Sequence, residues 1–228
     1  SKLVAPRKLH CTQIFYICGA ETPEGAGVGV VKNLALSCHI TGYSDISPVT
    51  HIISGLDVTP IKDIDPSDIS SATKIFINGS WHYITSKPKK IVDKLRNMRR
   101  CGILHIHSAI VWKIQDSVIE IYTDAGRCTR PIYIVKKNVP LINDAIIGKL
   151  NQKRMNWNNL ISGSLNNVDT NSQTALQEGV IEFIDVQEED NCMIAMSKEN
   201  LDKNSLVKVK TEFTPVSYTH LTLPTTPY

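Results

Sequence analysis

The sequence predicts an α+β fold with short strands and few helices. Three observations indicate this class. Two runs rich in β-branched and aromatic residues flank the dipeptide Asn78-Gly79, a helical pattern follows at residues 86–102, and short strand-like runs continue to residue 213. No internal repeat is present, and 228 residues with 42% hydrophobic content suffice for one ordinary core or two small ones.

The first element along the chain is a turn followed by an apolar segment. Pro23 and Gly25 predict the turn, because proline fixes φ and glycine permits a chain reversal. The run at residues 28–40 is mainly apolar, with Lys32 and Asn33 as its polar interruption. We expect this run to be buried and to anchor the turn in the core.

A hairpin and a helix come next. In "TKIFINGSWHYIT", residues 73–85, Asn78-Gly79 supplies the positive φ angles that a two-residue hairpin turn needs. The following "SKPKKIVDKLRNMRRCG", residues 86–102, predicts a helix with Ser86 as a candidate cap and Gly102 at its end. One apolar stripe has helical spacing and comprises Ile91, Leu95 and Met98.

The second half of the chain reads as strands and connections. "SVIEIYT" and "PIYIV" predict strands joined by "DAGRCTR", and "GVIEFID" and "CMIAM" predict strands joined across "VQEEDN". "LVKVKTEF" alternates apolar and polar residues and predicts a half-exposed strand. Residues 151–174 are polar, contain seven asparagines and are expected to form a mobile connection.

Charge is unevenly distributed along the chain, although the net charge is only +3. Residues 61–115 carry 10 basic and 4 acidic side chains, whereas residues 116–228 carry 11 and 14. Such a basic segment meets either a polyanion or an acidic neighbour. Residues 87–100 contain seven basic side chains, with Arg99 and Arg100 in the last turn of the predicted helix. We expect them to form a solvated helix face, and contact with nucleic acid is the less favoured alternative.

Several kinds of site are disfavoured by motif spacing. The glycines of "ETPEGAGVGVVKNLAL", residues 21–36, match neither G-x-G-x-x-G nor a P-loop, so they are expected to permit close backbone approach instead. No G-x-S-x-G elbow occurs. The acidic loop "DIDPSD", residues 63–68, lacks the glycine and the closing glutamate of a calcium loop and is expected to be a solvated turn.

Histidine and cysteine patterns give weak indications. His105 and His107 alternate with apolar residues and are expected to face one side of a strand, where a metal site is the less favoured alternative. The six cysteines lack zinc-ribbon or redox spacing, which fits free thiols in a reducing compartment. No signal peptide is apparent, and no apolar run approaches the roughly 20 residues of a membrane span.

Seven short motifs in a fixed order carry a resemblance to a known family. They are R-x-L-H at 7–10, E-T-P-E-G at 21–25 with G-V-V-K-N-L at 29–34, "INGSWH" at 77–82, "LRNMRRCGI" at 95–103, and "TDAGRCTRP" at 123–131 with "EGVIEFID" at 178–185. Together they resemble the fork region and following domains of the second-largest subunit of multisubunit DNA-directed RNA polymerases, of the eukaryotic or large-DNA-virus type. Gly19, where the family has proline, and Ala26 to Val28 depart from the pattern and suggest a divergent, viral lineage.

The resemblance implies an internal fragment of a longer polypeptide. It implies a fork region with the ETPEG turn at 1–46, external domain 1 at 47–114, and external domain 2 with the start of the next domain at 115–215. The fork region is thus followed by two small mixed α/β external domains, and the fragment has no complete catalytic core.

The resemblance also implies template-dependent RNA synthesis by two-metal phosphoryl transfer in the whole enzyme. The family's Mg²⁺ ligands and zinc site lie outside this fragment, which therefore contributes no catalytic or metal-binding residue and is expected to be inactive alone. The implied partners are the largest subunit, other polymerase subunits, the DNA template and the RNA product, with no membrane. The implied location is the nucleus, or the cytoplasm or virion for a viral protein.

Seven residues are expected to line the active centre or lie near nucleic acid: Arg7, His10, Glu21, Thr22, Glu24, Gly25 and Lys32. The resemblance further suggests that Arg7 approaches the turn and pairs with Glu24, or shares a hydrogen-bond network with it. Two alternatives stay open: a noncatalytic interaction module that binds other subunits or nucleic acid, and a freestanding nucleotide-binding enzyme, which the glycine spacing disfavours.

The C-terminal tail "VSYTHLTLPTTPY", residues 216–228, differs from the rest of the chain. The resemblance stops after Thr214, and the tail contains no Asp, Glu, Lys or Arg. Residues 216–225 also read as the translation of a common sequencing adapter. We expect a non-native, poorly ordered end.

Overall fold

The computed structural model describes residues 3–162, 179–201 and 220–222, and the backbone of residues 206–209 and 212–215. The described helices are α1 Ser47–Ser54, α2 Pro88–Arg100, α3 Asp144–Asn151, α4 Trp157–Ser162 and α5 Val186–Glu189. The described strands are β1 His39–Ile40, β2 Thr59–Pro60, β3 Thr73–Ile77, β4 Ser80–Thr85, β5 Ala109–Lys113, β6 Val118–Tyr122, β7 Cys128–Lys136, β8 Val139–Pro140, β9 Ile181–Asp185, β10 Ile194–Ala195, β11 Leu206–Val209, β12 Glu212–Pro215 and β13 His220–Thr222. This mixture confirms the α+β class.

A five-stranded sheet forms the first body, in the order β2-β4-β3-β6-β5. Its β3–β4 hairpin confirms the predicted turn, since Asn78 and Gly79 have φ angles of 47° and 82°. Helices α1 and α2 pack on one face of this sheet. The shared core comprises Val49, Ile53, Ile75, Ile77, Ile91, Val92, Leu95, Leu104, Ile110, Ile119 and Ile121.

Helix α2 confirms the predicted apolar stripe, because Ile91 and Leu95 are buried and Met98 packs against the same core. The helix ends as predicted at a glycine of positive φ, Gly102 at +73°. The expected cap is wrong, since Lys87 occupies the capping position and makes no side-chain cap.

A six-stranded sheet forms the second body around the long strand β7, which pairs antiparallel with β1, β8, β9 and β13. Strand β10 joins the outer side of β13 in parallel. Helices α3 and α4 cover part of β9, and Leu160, Ile161, Val180, Ile181 and Phe183 form the core there. The chain leaves the first sheet after Tyr122 and enters the second sheet with β7. The expected domain boundary between residues 114 and 115 therefore falls inside the β5–β6 hairpin of the first sheet.

Four expectations about the chain's organisation differ from the structure. Residues 28–40 do not form a buried run, since Val30, Val31 and Leu36 are 53%, 53% and 96% exposed. The expected mobile connection contains helix α4, and its residues 163–174 lie outside the described ranges. "LVKVKTEF" divides between the paired strands β11 and β12.

The fourth difference concerns the tail. Strand β13 lies within the second sheet, where His220 and Leu221 are 3% and 8% exposed, so the expected disorder is wrong for these residues. Residues 216–219 and 223–228 lie outside the described ranges, and the non-native origin of the tail stays a prediction.

Candidate functional site

The ETPEG turn sits at the end of a short two-stranded stalk. Ile17 and Leu34 form an antiparallel bridge, and the amide of Cys18 donates to the Asn33 carbonyl at 2.9 Å. On the side of the bridge away from the turn, the Ala35 amide donates to the carbonyl of Tyr16 at 3.0 Å. The segment between these pairs therefore projects as one closed loop.

Thr22 closes the loop across the turn. Its hydroxyl accepts from the Gly29 amide at 2.9 Å and donates to the Val31 carbonyl at 3.2 Å. Between these residues the chain makes a tight turn at Gly25–Gly27, which Gly25 enters with a φ of +84°. The predicted turn is confirmed, and its shape depends on one threonine and on glycine at positive φ.

Arg7 fixes the outer half of the loop through backbone carbonyls. One guanidinium nitrogen, Nη1, donates to the carbonyls of Ala26 and Val28 at 2.7 and 2.8 Å. Gly29 makes this approach possible, because a Cβ there would lie 2.2 Å from the Arg7 carbonyl oxygen. The expectation that these glycines permit close backbone approach is confirmed at Gly29.

The expected pairing of Arg7 with Glu24 is wrong, because Arg7 binds backbone carbonyls of the loop instead. Within the described ranges these two side chains form no ion pair, and the exposed Glu24 makes no side-chain cap on the turn that follows it. A guanidinium aimed at two carbonyl oxygens satisfies backbone acceptors that the tight turn leaves without partners. Arg7 therefore holds the shape of the loop, while the Glu24 carboxylate is exposed to solvent.

Four of the seven predicted site residues line one cleft of about 100 Å³: Arg7, Glu21, Thr22 and Lys32. The other three do not line it. His10 caps the short turn at Cys11–Gln13, where its Nδ1 accepts from the Thr12 amide at 3.3 Å. Glu24 and Gly25 lie at the exposed tip.

A buried ion-pair cluster that the sequence analysis missed joins the two bodies. Arg99 of α2 donates to Glu188 of α5 at 2.7 and 2.8 Å and to Glu182 of β9 at 2.9 Å. Arg100 donates to Glu182 at 2.6 and 3.1 Å. His220 of β13 contacts the same carboxylate at 2.5 Å.

The cluster is almost fully removed from water. Side chains of Arg99, Glu182 and Glu188 are only 2%, 3% and 1% exposed. Burial alone would raise the pKa of Glu182, but Arg99, Arg100 and His220 outweigh it and hold that pKa well below its usual range. The basic helix therefore meets an acidic neighbour, and the expectation of a wholly solvated basic face is wrong at Arg99.

A sequence signal for this burial existed in the helical spacing. Arg99 follows Ile91 and Leu95 at intervals of four residues, which places it on the apolar stripe of α2. A charge on a buried stripe requires a partner of opposite sign, and the acidic residues of "EFIDVQEED" supply it.

No metal site appears in the parts of the chain that the structure describes. Within them, no group of three or more His, Cys, Asp or Glu side chains is placed to hold a metal ion. His105 and His107 lie in turns, not in the predicted strand, and burial lowers the pKa of His107 to about 4. In the acidic loop, Asp65 accepts from the Ser67 amide and hydroxyl at 3.1 and 2.9 Å, which supports a solvated turn.

Comparison with protein families identifies the group of proteins that this chain resembles. Three family models match in order along the chain: RNA polymerase Rpb2 domain 3 at residues 1–40, domain 4 at 75–136 and domain 5 at 173–224. The chain belongs to the Rpb2 family. It corresponds to an internal part of the second-largest subunit of DNA-directed RNA polymerase.

Individual relatives of the Rpb2 family extend this match over nearly the whole chain. RNA polymerase II subunit RPB2 of Encephalitozoon cuniculi is 36% identical over 96% of the chain, and subunit 2 of Arabidopsis thaliana is 36% identical over 88%. The DNA-directed RNA polymerase subunit Rpo2 of Sulfolobus acidocaldarius is 30% identical over 86% of the chain. The chain spans 18%, 16% and 17% of the lengths of these three relatives.

Within the described ranges, no helix has the length and apolar character needed to cross a membrane.

Proposed function

We propose that this chain is the part of a DNA-directed RNA polymerase that carries the fork of the active centre and the adjoining outer domains. The ordered match to three consecutive Rpb2 domains carries this proposal. The projecting loop, held by Arg7 and Thr22, is a rigid element of the kind that positions nucleic acid. The largest subunit, other polymerase subunits, DNA template and RNA product are its proposed partners in the nucleus.

The proposed contribution of this chain is positioning, not bond making. Polymerisation by two metal ions needs carboxylates that hold Mg²⁺ at the reacting oxygens. The described residues do not fit such a centre, because they hold no cluster of metal-ligating side chains. We therefore assign the Mg²⁺ and zinc sites to other parts of the enzyme.

The test uses the full-length subunit assembled into its polymerase, with extension of an RNA primer on a DNA template as the readout. Arg7→Ala removes two hydrogen bonds from the loop and should slow elongation, whereas Lys62→Ala removes an exposed charge from the first body and should not. The 228-residue chain alone should give background signal. Template-dependent extension by the chain alone, or wild-type elongation by Arg7→Ala, would refute the proposal.

A further inference from the structure

The stalk of the ETPEG turn rests on a single buried side chain. Among the described residues 3–40, Tyr16 alone is buried, at 3% exposure. It directly precedes the stalk bridge at Ile17, and its carbonyl accepts the amide of Ala35 from the opposite arm. The position of Tyr16 therefore sets the direction in which the loop projects.

Glu189 of α5 holds Tyr16 in place. The phenol donates to Glu189 Oε2 at 2.6 Å, and burial together with this bond raises the Tyr16 pKa, which keeps the hydroxyl protonated as a donor. Arg130 of β7 donates to both oxygens of the same carboxylate at 3.0 and 2.9 Å. The Arg130 guanidinium also lies 4.5 Å from the centre of the Phe15 ring.

Glu188, the residue before Glu189, connects the Tyr16–Glu189 contact to the first body. Glu188 receives Arg99 of α2, so two consecutive carboxylates of α5 bind cations from different parts of the molecule. Asp185 accepts from the Glu188 amide at 2.8 Å and from Arg127 at 3.0 Å, which fixes the start of the helix. A continuous series of hydrogen bonds and short covalent links thus runs from α2 through α5 to Tyr16 and the stalk.

We propose that Glu189 is a positioning residue that sets the placement of the ETPEG turn through Tyr16. Phe15 gives a second indication, since it is held at a φ of +68°, a strained conformation for a residue with a side chain. The contacts to Arg130 and the bond from the Ser37 hydroxyl to the Phe15 carbonyl at 3.0 Å hold it there. The effect of Glu189 on RNA synthesis rests on the proposed function, whereas its effect on the stalk does not.

Amide hydrogen exchange of the full chain tests the placement directly. Tyr16→Phe removes only the hydroxyl and should speed exchange of the Cys18 and Ala35 amides about tenfold or more, the range expected for loss of a hydrogen bond to a charged group. Tyr122→Phe is the matched control. It removes another tyrosine–glutamate bond, 3.0 Å long, within the first sheet, and should leave both stalk amides unchanged.

Two glutamate variants separate the bond from the charge. Glu189→Gln keeps an acceptor for Tyr16 and should speed exchange less than Glu189→Ala. Stalk exchange within twofold of wild type in both Tyr16→Phe and Glu189→Ala would overturn the proposal, whatever happens to RNA synthesis. Faster exchange with unchanged elongation by the full polymerase would leave the anchor standing and refute the proposed function of the turn.

Discussion

Replacement of Arg99 should destabilise the chain strongly. Arg99→Met removes the closest cation from Glu188, which keeps only the longer 3.8 Å contact with Arg96, and one of the cations that pair with Glu182; removal of one partner from a buried ion pair costs about 3–5 kcal/mol. For a chain of this size each kcal/mol lowers the melting temperature by roughly 2–4 °C. The expected decrease is therefore on the order of 6–20 °C, measured by thermal unfolding at neutral pH.

A second replacement should restore much of this loss. Arg99→Met combined with Glu188→Gln removes one charge of each sign and leaves Arg100 paired with Glu182, so neither carboxylate position of the cluster holds a buried charge without a cation. We expect the two changes to be non-additive by about 1–3 kcal/mol. Lys94→Met, an exposed site on the same helix, should change stability by less than about 0.5 kcal/mol.

The outcomes are clearly separable. If Arg99→Met unfolds within 2 °C of Lys94→Met, Arg99 is not buried in an ion-pair cluster. If the double variant loses the full sum of the two single losses, Arg99 and Glu188 are not partners.

Four further results are expected. Burial and the neighbouring His105, His39 and Arg127 lower the His107 pKa from 6.5 to about 4. Between these two pH values the folded state therefore binds fewer protons than the unfolded state. The free energy of unfolding should fall as the pH drops through this range. The urea midpoint of His107→Gln should fall less over the same range than that of the wild type. Gly29→Ala should loosen the loop and speed its proteolysis, because its Cβ would meet Arg7, whereas Gly148→Ala in α3 has open space and should not. Deletion of residues 216–228 should lower the melting temperature, since strand β13 and the His220–Glu182 contact are lost. Four phosphate contacts would weaken DNA binding roughly 100-fold between 50 and 200 mM salt. Fluorescence anisotropy should instead show a shallow slope, because the three arginines of α2 pair with buried glutamates of the same chain.

Local patterns were readable from the sequence because neighbouring residues determine them. Asn78-Gly79 specified its hairpin through positive φ angles, and the four-residue spacing of Ile91 and Leu95 specified the buried face of α2. The Rpb2 motifs also identified the family. The hairpin and the helix each depend on one short stretch of chain, and the family on short motifs in a fixed order.

Contacts between distant segments were not readable in the same way. Arg99 meets Glu188 across 89 positions, and Tyr16 meets Glu189 across 173, so no local period reports either pair. The apolar run at residues 28–40 was predicted to be buried but is largely exposed. Hydrophobic composition predicts burial only where the chain returns to the core, and this run belongs to a projecting loop.

Helix α5 is only one turn long, and this brevity makes its register strict. Consecutive residues of an α-helix point about 100° apart around its axis, which lets Glu188 and Glu189 reach different partners from adjacent positions. A residue inserted after Asp185 would rotate both carboxylates away from their arginines at once. Substitutions here weaken one contact at a time, but a change in length would release the stalk and the first body together. An insertion or deletion within residues 185–189 should therefore cost more stability than any single substitution there, while exposed loops such as residues 63–68 should accept both kinds of change.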